Sequence, residues 1–148
     1  MKEIRIFKGD YEFLSNFYPS PIKFENYICP TLEHAFQASK TSDSQVRKQI
    51  IQARTPSEAK SLGKKCKLIP NWQEIKLKVM MDLIRIKFSK DPFKSRLLNT
   101  GDSELIEGNW WGDKFWGVDE RTGVGKNNLG KILMEIREEL KTGTSLKW

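Results

Sequence analysis

One stretch of the sequence says most about the fold: residues Asn71–Phe88, which read NWQEIKLKVMMDLIRIKF. Asn71 followed three residues later by Glu74 is typical of the start of a helix. The apolar residues that follow recur with helical spacing on two faces, as expected for a helix buried on more than one side. One face carries Trp72, Ile75, Val79, Leu83 and Ile86, and the other carries Leu77, Met80, Ile84 and Phe88. We therefore predict that this segment is the central helix of the fold.

Helix signals recur on both sides of this segment. Thr31 and Thr55 are expected N-caps, and Gly63 and Gly101 are expected helix ends. The predicted helices are Leu32–Lys40, Ser44–Ala53, Pro56–Gly63, a short one after Asp91-Pro92, and Asn128–Leu140. Two short strands, Ile4–Phe7 and Ile22–Phe24, are expected to form a small β element together. The fold class is therefore mainly α: a single compact domain of about five or six helices around a central helix, with a small N-terminal β element.

Length and composition support one folded domain over 1–148. The chain has 148 residues, of which 38% are hydrophobic and 30% charged, so it is not built like a disordered chain. It has no apolar run long enough for a membrane span and no signal-peptide pattern, so we expect it in the cytoplasm, away from membranes. With two cysteines and one histidine, the sequence supports neither a disulfide framework nor a zinc cluster.

The net charge of +7 is distributed unevenly. Residues 40–96 contain 15 basic and 5 acidic side chains, whereas residues 97–148 contain 7 basic and 9 acidic ones. A basic middle of this kind can attract nucleic acid or a small phosphorylated ligand, although a solvated helical surface gives the same count. No RNP, helix-turn-helix or zinc-finger pattern is present, so a nucleic-acid-binding module that uses the basic middle and the aromatic residues of loop 108–130 is the alternative rather than the leading hypothesis.

Three polar residues share one face of the predicted helix Leu32–Lys40. Glu33, Gln37 and Lys40 are four and three residues apart, which places them within about 60° of one another. The helix dipole at the first turn favours an ionised Glu33, which suits a base, a nucleophile or a group that stabilises a cation. An exposed face with an ordinary charge pair explains the same spacing, so both interpretations remain open here. His34 points about 100° away and is interpreted as a helix-start or core residue.

Other segments offer candidate ligand contacts. Loop 108–130 holds six of the ten glycines together with Trp110, Trp111, Phe115 and Trp116. Aromatic faces beside the Asp113 carboxylate could stack on a heterocyclic base, although core packing also explains some of these rings. Segment 125–128 leads into the last helix, where backbone N–H groups and Lys126 could receive a phosphate. Asn16 and Phe17 form a weaker signal in a turn.

Taken in order, these motifs resemble the NADAR (YbiA-like) family across nearly the whole chain. The segments that carry the resemblance are Ser15-Asn16-Phe17, Pro30–Lys40, Pro70-Asn71-Trp72, Lys87-Phe88, Phe115-Trp116-Gly117 and Gly125–Gly130. The chain departs from many relatives after Gly117, where Val118-Asp119-Glu120-Arg121 replaces an Asp-Gly-Gly sequence. The family is mainly α-helical and hydrolyses N-glycosidic bonds, so the resemblance implies both properties here.

The resemblance also implies substrates and site residues. The substrates would be ribosylamino-pyrimidine phosphates of early riboflavin biosynthesis, or ADP-ribose attached to a base such as guanine, including a base in nucleic acid. The implied catalytic residues are Glu33, Lys40 and Asp113, and the implied substrate contacts are Asn16, Phe17, Gln37, Trp72, Trp116, Lys126 and Asn127. No metal or organic cofactor is required by this scheme. A domain that binds ADP-ribose without cleaving it is a further alternative.

Overall fold

The computed structural model describes residues 2–143. Within these residues the chain forms six α-helices, one 3₁₀ helix at Gly9–Leu14 and six short strands. The helices are α1 (Leu32–Ala38), α2 (Ser44–Ile51), α3 (Pro56–Lys65), α4 (Trp72–Lys87), α5 (Phe93–Leu98) and α6 (Asn128–Thr142). The strands are β1 (Glu3–Arg5), β2 (Ile22–Phe24), β3 (Tyr27–Cys29), β4 (Glu104–Ile106), β5 (Gly108–Asn109) and β6 (Val118–Asp119). The prediction of a mainly α-helical chain is therefore confirmed.

Helices α1 and α3 begin at the predicted caps. The Thr31 hydroxyl accepts a hydrogen bond from the His34 backbone N–H, and the Thr55 hydroxyl accepts one from the Glu58 N–H. These bonds satisfy backbone donors that have no partner inside the helix. The expected end of α3 at Gly63 is wrong, because the helix continues to Lys65. Gly63 instead lies where the helix needs a residue without a side chain.

The chain divides into two compact units, and the single-domain prediction for 1–148 stays a prediction. The middle unit is Asn16–Lys87, and the terminal unit combines Met1–Ser15 with Phe88–Trp148. In the middle unit α1 packs against α2, α3 and α4 and against the β2–β3 pair. All seven residues of α1 are buried. The central helix of this unit is therefore α1, and the prediction that α4 is central is wrong.

The strand pairing also differs from the expectation. β2 pairs with β3 in antiparallel register, with Ile22 opposite Cys29. β1 pairs in parallel with β4, which is a hundred residues further along the chain, and α6 packs against β4. The two N-terminal strands therefore do not pair with each other. Strands of three residues carry too little pattern to specify a partner, so packing against a helix decides it.

The core of the terminal unit combines aromatic packing with a buried charge. The Phe88 ring meets the rings of Phe13 and Phe93 edge to face, with centroids 6.4 and 6.2 Å apart. Arg137 is buried on α6 and donates a hydrogen bond of 2.9 Å to the Thr100 hydroxyl.

None of the helices in residues 2–143 is both long and apolar enough to span a membrane.

Lys87, the last residue of α4, gives the stability of the chain a predictable pH dependence. Its side chain is buried, and burial lowers the pKa of the ammonium from 10.5 to about 7. Between these values the unfolded chain binds more protons at this site than the folded chain, so the free energy of unfolding should rise with pH. We expect a rise of at most ~1.4 kcal/mol per pH unit from this one site between pH 7 and pH 9.

Urea denaturation of wild type and Lys87→Met at pH 7, 8 and 9 measures this rise. Lys87→Met keeps the length of the side chain and removes the titrating group, so the variant should lack this rise. The difference in the free energy of unfolding between the two proteins should therefore change by up to ~1.4 kcal/mol per pH unit from pH 7 to pH 9. The range stops at pH 9 because burial raises the pKa of the Cys29 thiol to about 11, which acts in the opposite direction. A constant difference over the whole range would show that Lys87 is not the source.

Candidate active site

The start of α1 places Glu33 in the first turn of the helix. Thr31 has an extended backbone, and its hydroxyl accepts the His34 N–H at 3.2 Å. The Glu33 N–H donates to the Asn16 carbonyl at 3.1 Å, so the Asn16 segment lies against the start of α1. The His34 ring is buried, with its Nδ1 2.8 Å from the Thr31 hydroxyl and its Nε2 3.0 Å from the Ala53 carbonyl. His34 is therefore a core residue, as the sequence indicated.

Glu33 and Gln37 form a buried hydrogen-bonded pair. Only 7% of Glu33 and 3% of Gln37 are exposed, and Gln37 Nε2 donates to Glu33 Oε2 at 3.1 Å. The interpretation of this face as an exposed charged surface is therefore wrong for both residues. A buried carboxylate is costly unless its oxygens are hydrogen-bonded, so the Gln37 amide both stabilises Glu33 and fixes its direction.

Gly63 on α3 leaves room for the Gln37 side chain. A Cβ atom at Gly63 would come within 2.8 Å of Gln37 Cδ and 3.1 Å of Gln37 Cβ, and would overlap Gln37 Oε1. Among residues 2–143, Gln37 Oε1 is buried and has no hydrogen-bond partner. Sequence analysis did not identify this role of Gly63, because a helix-stop signal and a close helix contact both call for glycine.

Lys40 lies two residues beyond the end of α1, so the predicted helix Leu32–Lys40 is two residues too long. The Lys40 N–H donates to the Gln37 carbonyl at 3.2 Å, which keeps Lys40 in a turn against the end of the helix. Lys40 is half-buried, and its ammonium lies 5.8 Å from the centroid of the Phe36 ring. Burial lowers the pKa of Lys40, the nearby Glu33 opposes this, and two further lysines, Lys60 and Lys64, lower it further. More of the amine is therefore neutral near pH 7 than for an ordinary lysine.

The other candidates in the middle unit differ in exposure. The Trp72 ring is buried against Phe36, with centroids 5.3 Å apart, so much of its surface serves the core. Phe17 is exposed, and Asn16 is half-buried with its Nδ2 3.6 Å from Met80 Sδ. Asn16 and Phe17 belong to the segment that lies against the start of α1, where the Asn16 carbonyl accepts the Glu33 N–H. Contacts from Asn16, Phe17 and Trp72 to a substrate stay predictions.

Asp113 organises its own loop in the terminal unit. Its Oδ1 accepts the N–H groups of Phe115 at 3.0 Å and Trp116 at 2.9 Å. The half-buried Trp116 ring then meets Phe115 edge to face, with centroids 4.8 Å apart. One carboxylate oxygen is thus used to build the turn, and the proposed acid role of Asp113 stays a prediction.

The start of α6 is already hydrogen-bonded. The backbone N–H groups of 126–129 donate to the carbonyls of Lys114, Gly117, Phe115 and Trp116, so they are not free for the expected phosphate. The Asn127 amide donates to the Leu105 carbonyl at 2.9 Å and accepts the Glu107 N–H at 3.0 Å. The exposed Lys126 ammonium lies 5.7 Å from the Phe115 ring centroid. Substrate binding by Lys126 and Asn127 stays a prediction.

Comparison with known proteins decides the family, since the NADAR domain matches residues 6–141. The chain belongs to the NADAR family. It is 39% identical over 134 residues to the N-glycosidase YbiA of Shigella boydii, covering 88% of this chain and 82% of that protein. It also resembles the NMR structure of Escherichia coli YbiA, with a TM-score of 0.85 and 35% identity over 96% of this chain and 86% of that one.

Longer NADAR proteins are similar as well. A riboflavin biosynthesis protein of Vibrio vulnificus is 37% identical over 135 residues, which cover 89% of this chain but only 36% of that protein. Relatives of matching length carry the name N-glycosidase, including one from Nostoc punctiforme at 36% identity. The resemblance to NADAR proteins and the expectation of an N-glycosidase are thus confirmed.

Gly63→Ala tests the packing that holds Gln37. Alanine normally stabilises a helix interior by up to ~1 kcal/mol relative to glycine. Here the added methyl group must displace Gln37, so we expect a net loss of about 1–3 kcal/mol in the free energy of unfolding, together with slower turnover. Urea denaturation and N-glycosidase assays measure the two effects, with Ser61→Ala on the exposed side of α3 as the matched control. A stabilised and fully active Gly63→Ala protein would contradict this account.

Proposed function

We propose that this chain hydrolyses the bond between C1′ of a ribose phosphate and the nitrogen of a ribosylamino-pyrimidine, with Glu33 as the catalytic carboxylate. The observation that carries the proposal is the burial of Glu33 in the first turn of α1, where Gln37 directs its carboxylate. The Vibrio relative's name, riboflavin biosynthesis protein, supports this substrate class for the NADAR domain. We take 1–148 to act as one domain, because the family match runs through both units.

Breaking the C1′–N bond leaves its electron pair on the departing nitrogen and positive charge on the sugar. A fixed carboxylate close to C1′ stabilises that charge, and a preoriented group does so without reorganising in the transition state. The same carboxylate accepts a proton from the water that attacks C1′, while the nitrogen must gain a proton as it leaves. Glu33 meets the first two needs, and Lys40 can meet the third.

Lys40 can take one of two roles, which differ in the protonation state of its side chain. As a donor, the ammonium gives a hydrogen bond or a proton to the departing nitrogen. As a nucleophile, the neutral amine forms a bond to C1′ as the base leaves, and ring opening gives an imine that water hydrolyses back to the free amine. We assign the donor role to small ribosylamino-pyrimidine substrates and the nucleophile role to ADP-ribosylated bases.

The remaining predicted contacts belong to the same proposal. They are Asn16, Phe17, Gln37, Trp72, Asp113, Trp116, Lys126 and Asn127. ADP-ribose attached to guanine is the second substrate, since Trp110 and Trp111 in the aromatic loop are 51% and 66% exposed and can stack on a base. We place the reaction in the cytoplasm, as expected from the sequence.

Glu33→Gln tests the catalytic carboxylate. The amide keeps the shape and can still bond Gln37, so the protein should fold, but it cannot accept a proton or balance the sugar charge. We expect the rate of hydrolysis to fall at least ~100-fold, the scale of a positioned acid-base group. Base release from ribosylamino-pyrimidine phosphate and from ADP-ribosylated guanosine, followed by mass spectrometry, measures the loss and identifies the substrate.

Glu74→Gln, an exposed change on α4, is the matched control and should keep the wild-type rate. Near-normal turnover by folded Glu33→Gln would remove Glu33 from the mechanism. Cleavage of neither substrate by the wild-type chain would overturn the proposed substrates. The nucleic-acid-binding alternative would be favoured if the chain bound DNA or RNA with a steep salt dependence and Glu33→Gln bound it equally well.

Lys40 is tested by trapping. Borohydride adds hydride to an imine carbon, so during turnover of an ADP-ribosylated base it should leave a sugar adduct on Lys40 that mass spectrometry locates. The rate should rise with pH through the lowered pKa of Lys40, because only the neutral amine attacks. Lys40→Arg should be inactive on that substrate and keep part of the rate on ribosylamino-pyrimidines. Full activity of Lys40→Ala on both substrates would exclude either role.

A further inference from the structure

A lysine-rich segment forms the end of α3, the helix that packs on the Glu33 helix, and the two residues that follow it. Residues 60–67 read KSLGKKCK and hold four lysines with no acidic residue. Most of this segment belongs to α3, whose close contact with Gln37 is made through Gly63. Clustered cations repel one another, so such a segment favours an anion among its side chains.

The backbone fixes this segment beside the C-terminal end of α1. The Ile69 N–H donates to the Lys40 carbonyl at 2.8 Å, which ties the chain after α3 to the end of α1. Cys66 Sγ donates to the Gly63 carbonyl at 3.2 Å and closes the last turn of α3. Side chains on the α1 side of α3 are therefore held near Lys40 at one end of the site.

Helical geometry selects two of the four lysines. Lys60 and Lys64 are four residues apart and lie about 40° from each other, at about 60° and 100° around the helix from Gly63, which contacts Gln37 on α1. Both are close enough to lower the pKa of Lys40, after the larger effect of burial. Lys65 points about 140° away from Lys60 and about 160° away from Gly63, and Lys67 lies beyond the helix. Lys60 is half-buried, whereas Lys64, Lys65 and Lys67 are exposed.

We propose that Lys60 and Lys64 form a subsite for the phosphoryl group on C5′ of the substrate ribose, next to Lys40. The inference rests on the proposed function, because it assigns the phosphate of that substrate a place. The ribose connects C1′, on which Glu33 acts, to the phosphoryl group, so one substrate can engage both ends of the polar face of α1. Two lysines supply charge-assisted hydrogen bonds to the phosphoryl oxygens.

The test measures binding without turnover. Calorimetric titration of the full chain with ribose 5-phosphate, ADP-ribose and inorganic phosphate gives the dissociation constants, with ribose as the ligand that lacks the phosphoryl group. Lys60→Gln/Lys64→Gln is compared with Lys65→Gln/Lys67→Gln, which removes the same charge from the other side of the segment. Lys64→Gln alone is a second variant that changes only an exposed side chain.

We expect Lys60→Gln/Lys64→Gln to raise the dissociation constant of ribose 5-phosphate at least ~10-fold, and the control pair to raise it less than ~3-fold. Direct hydrogen bonds to a phosphate contribute more to binding than a remote charge does. Lys64→Gln should lie between them, and ribose should bind all variants equally. Equal weakening by both pairs, or no preference for ribose 5-phosphate over ribose, would overturn the subsite. If ADP-ribose alone shows the dependence, the subsite takes a diphosphate rather than a monoester.

Turnover separates this inference from the proposed function. For ribosylamino-pyrimidine phosphate we expect the Lys60→Gln/Lys64→Gln protein to raise KM with kcat largely retained, because the lost interaction is the same in substrate and transition state. Lysine-dependent binding of ribose 5-phosphate without cleavage of that substrate would keep the subsite and reject the substrate. Cleavage with a KM unchanged in the variant would keep the function and reject the subsite.

Discussion

The hydrogen bond from the Gln37 amide to the Glu33 carboxylate constrains the rest of the middle unit. Both side chains are buried on α1, where water cannot solvate a charge, so the protein must supply the partner. Gln37 in turn requires Gly63 on the facing helix, because any side chain there would occupy its volume. The spacing of α1 and α3 is thus set by a polar contact as well as by apolar packing.

The electrostatics of α1 follow from where its polar residues lie along the helix. Glu33 is in the first turn, where the helix dipole favours negative charge. Lys40 follows the last turn, where burial lowers its pKa and the nearby Glu33 partly opposes this lowering. Two groups of opposite charge are therefore held along one face, seven residues apart. Such an arrangement suits a reaction in which one atom gains positive charge and a neighbouring atom accepts a proton.

Loop 108–130 is held in place by hydrogen bonds to its backbone. Asp113 caps the turn that holds Trp116, and the first N–H groups of α6 bond the carbonyls of the same loop. Residues 118–121 are part of this framework: β6 pairs in parallel with β5, and Glu120 forms a 2.8 Å ion pair with Arg5. These residues are therefore built into the local fold, close in sequence to the exposed Trp110 and Trp111.

The sequence by itself determined the helices, their caps and the shared face of Glu33, Gln37 and Lys40, because capping and helical period depend on residues within a few positions. It also determined the family, whose motifs are local. Tertiary structure alone decided that this face is buried, that α1 rather than α4 is central, and that β1 pairs with β4. The role of Gly63 likewise depends on a side chain from another helix. These features arise from contacts between distant segments, which no local pattern encodes.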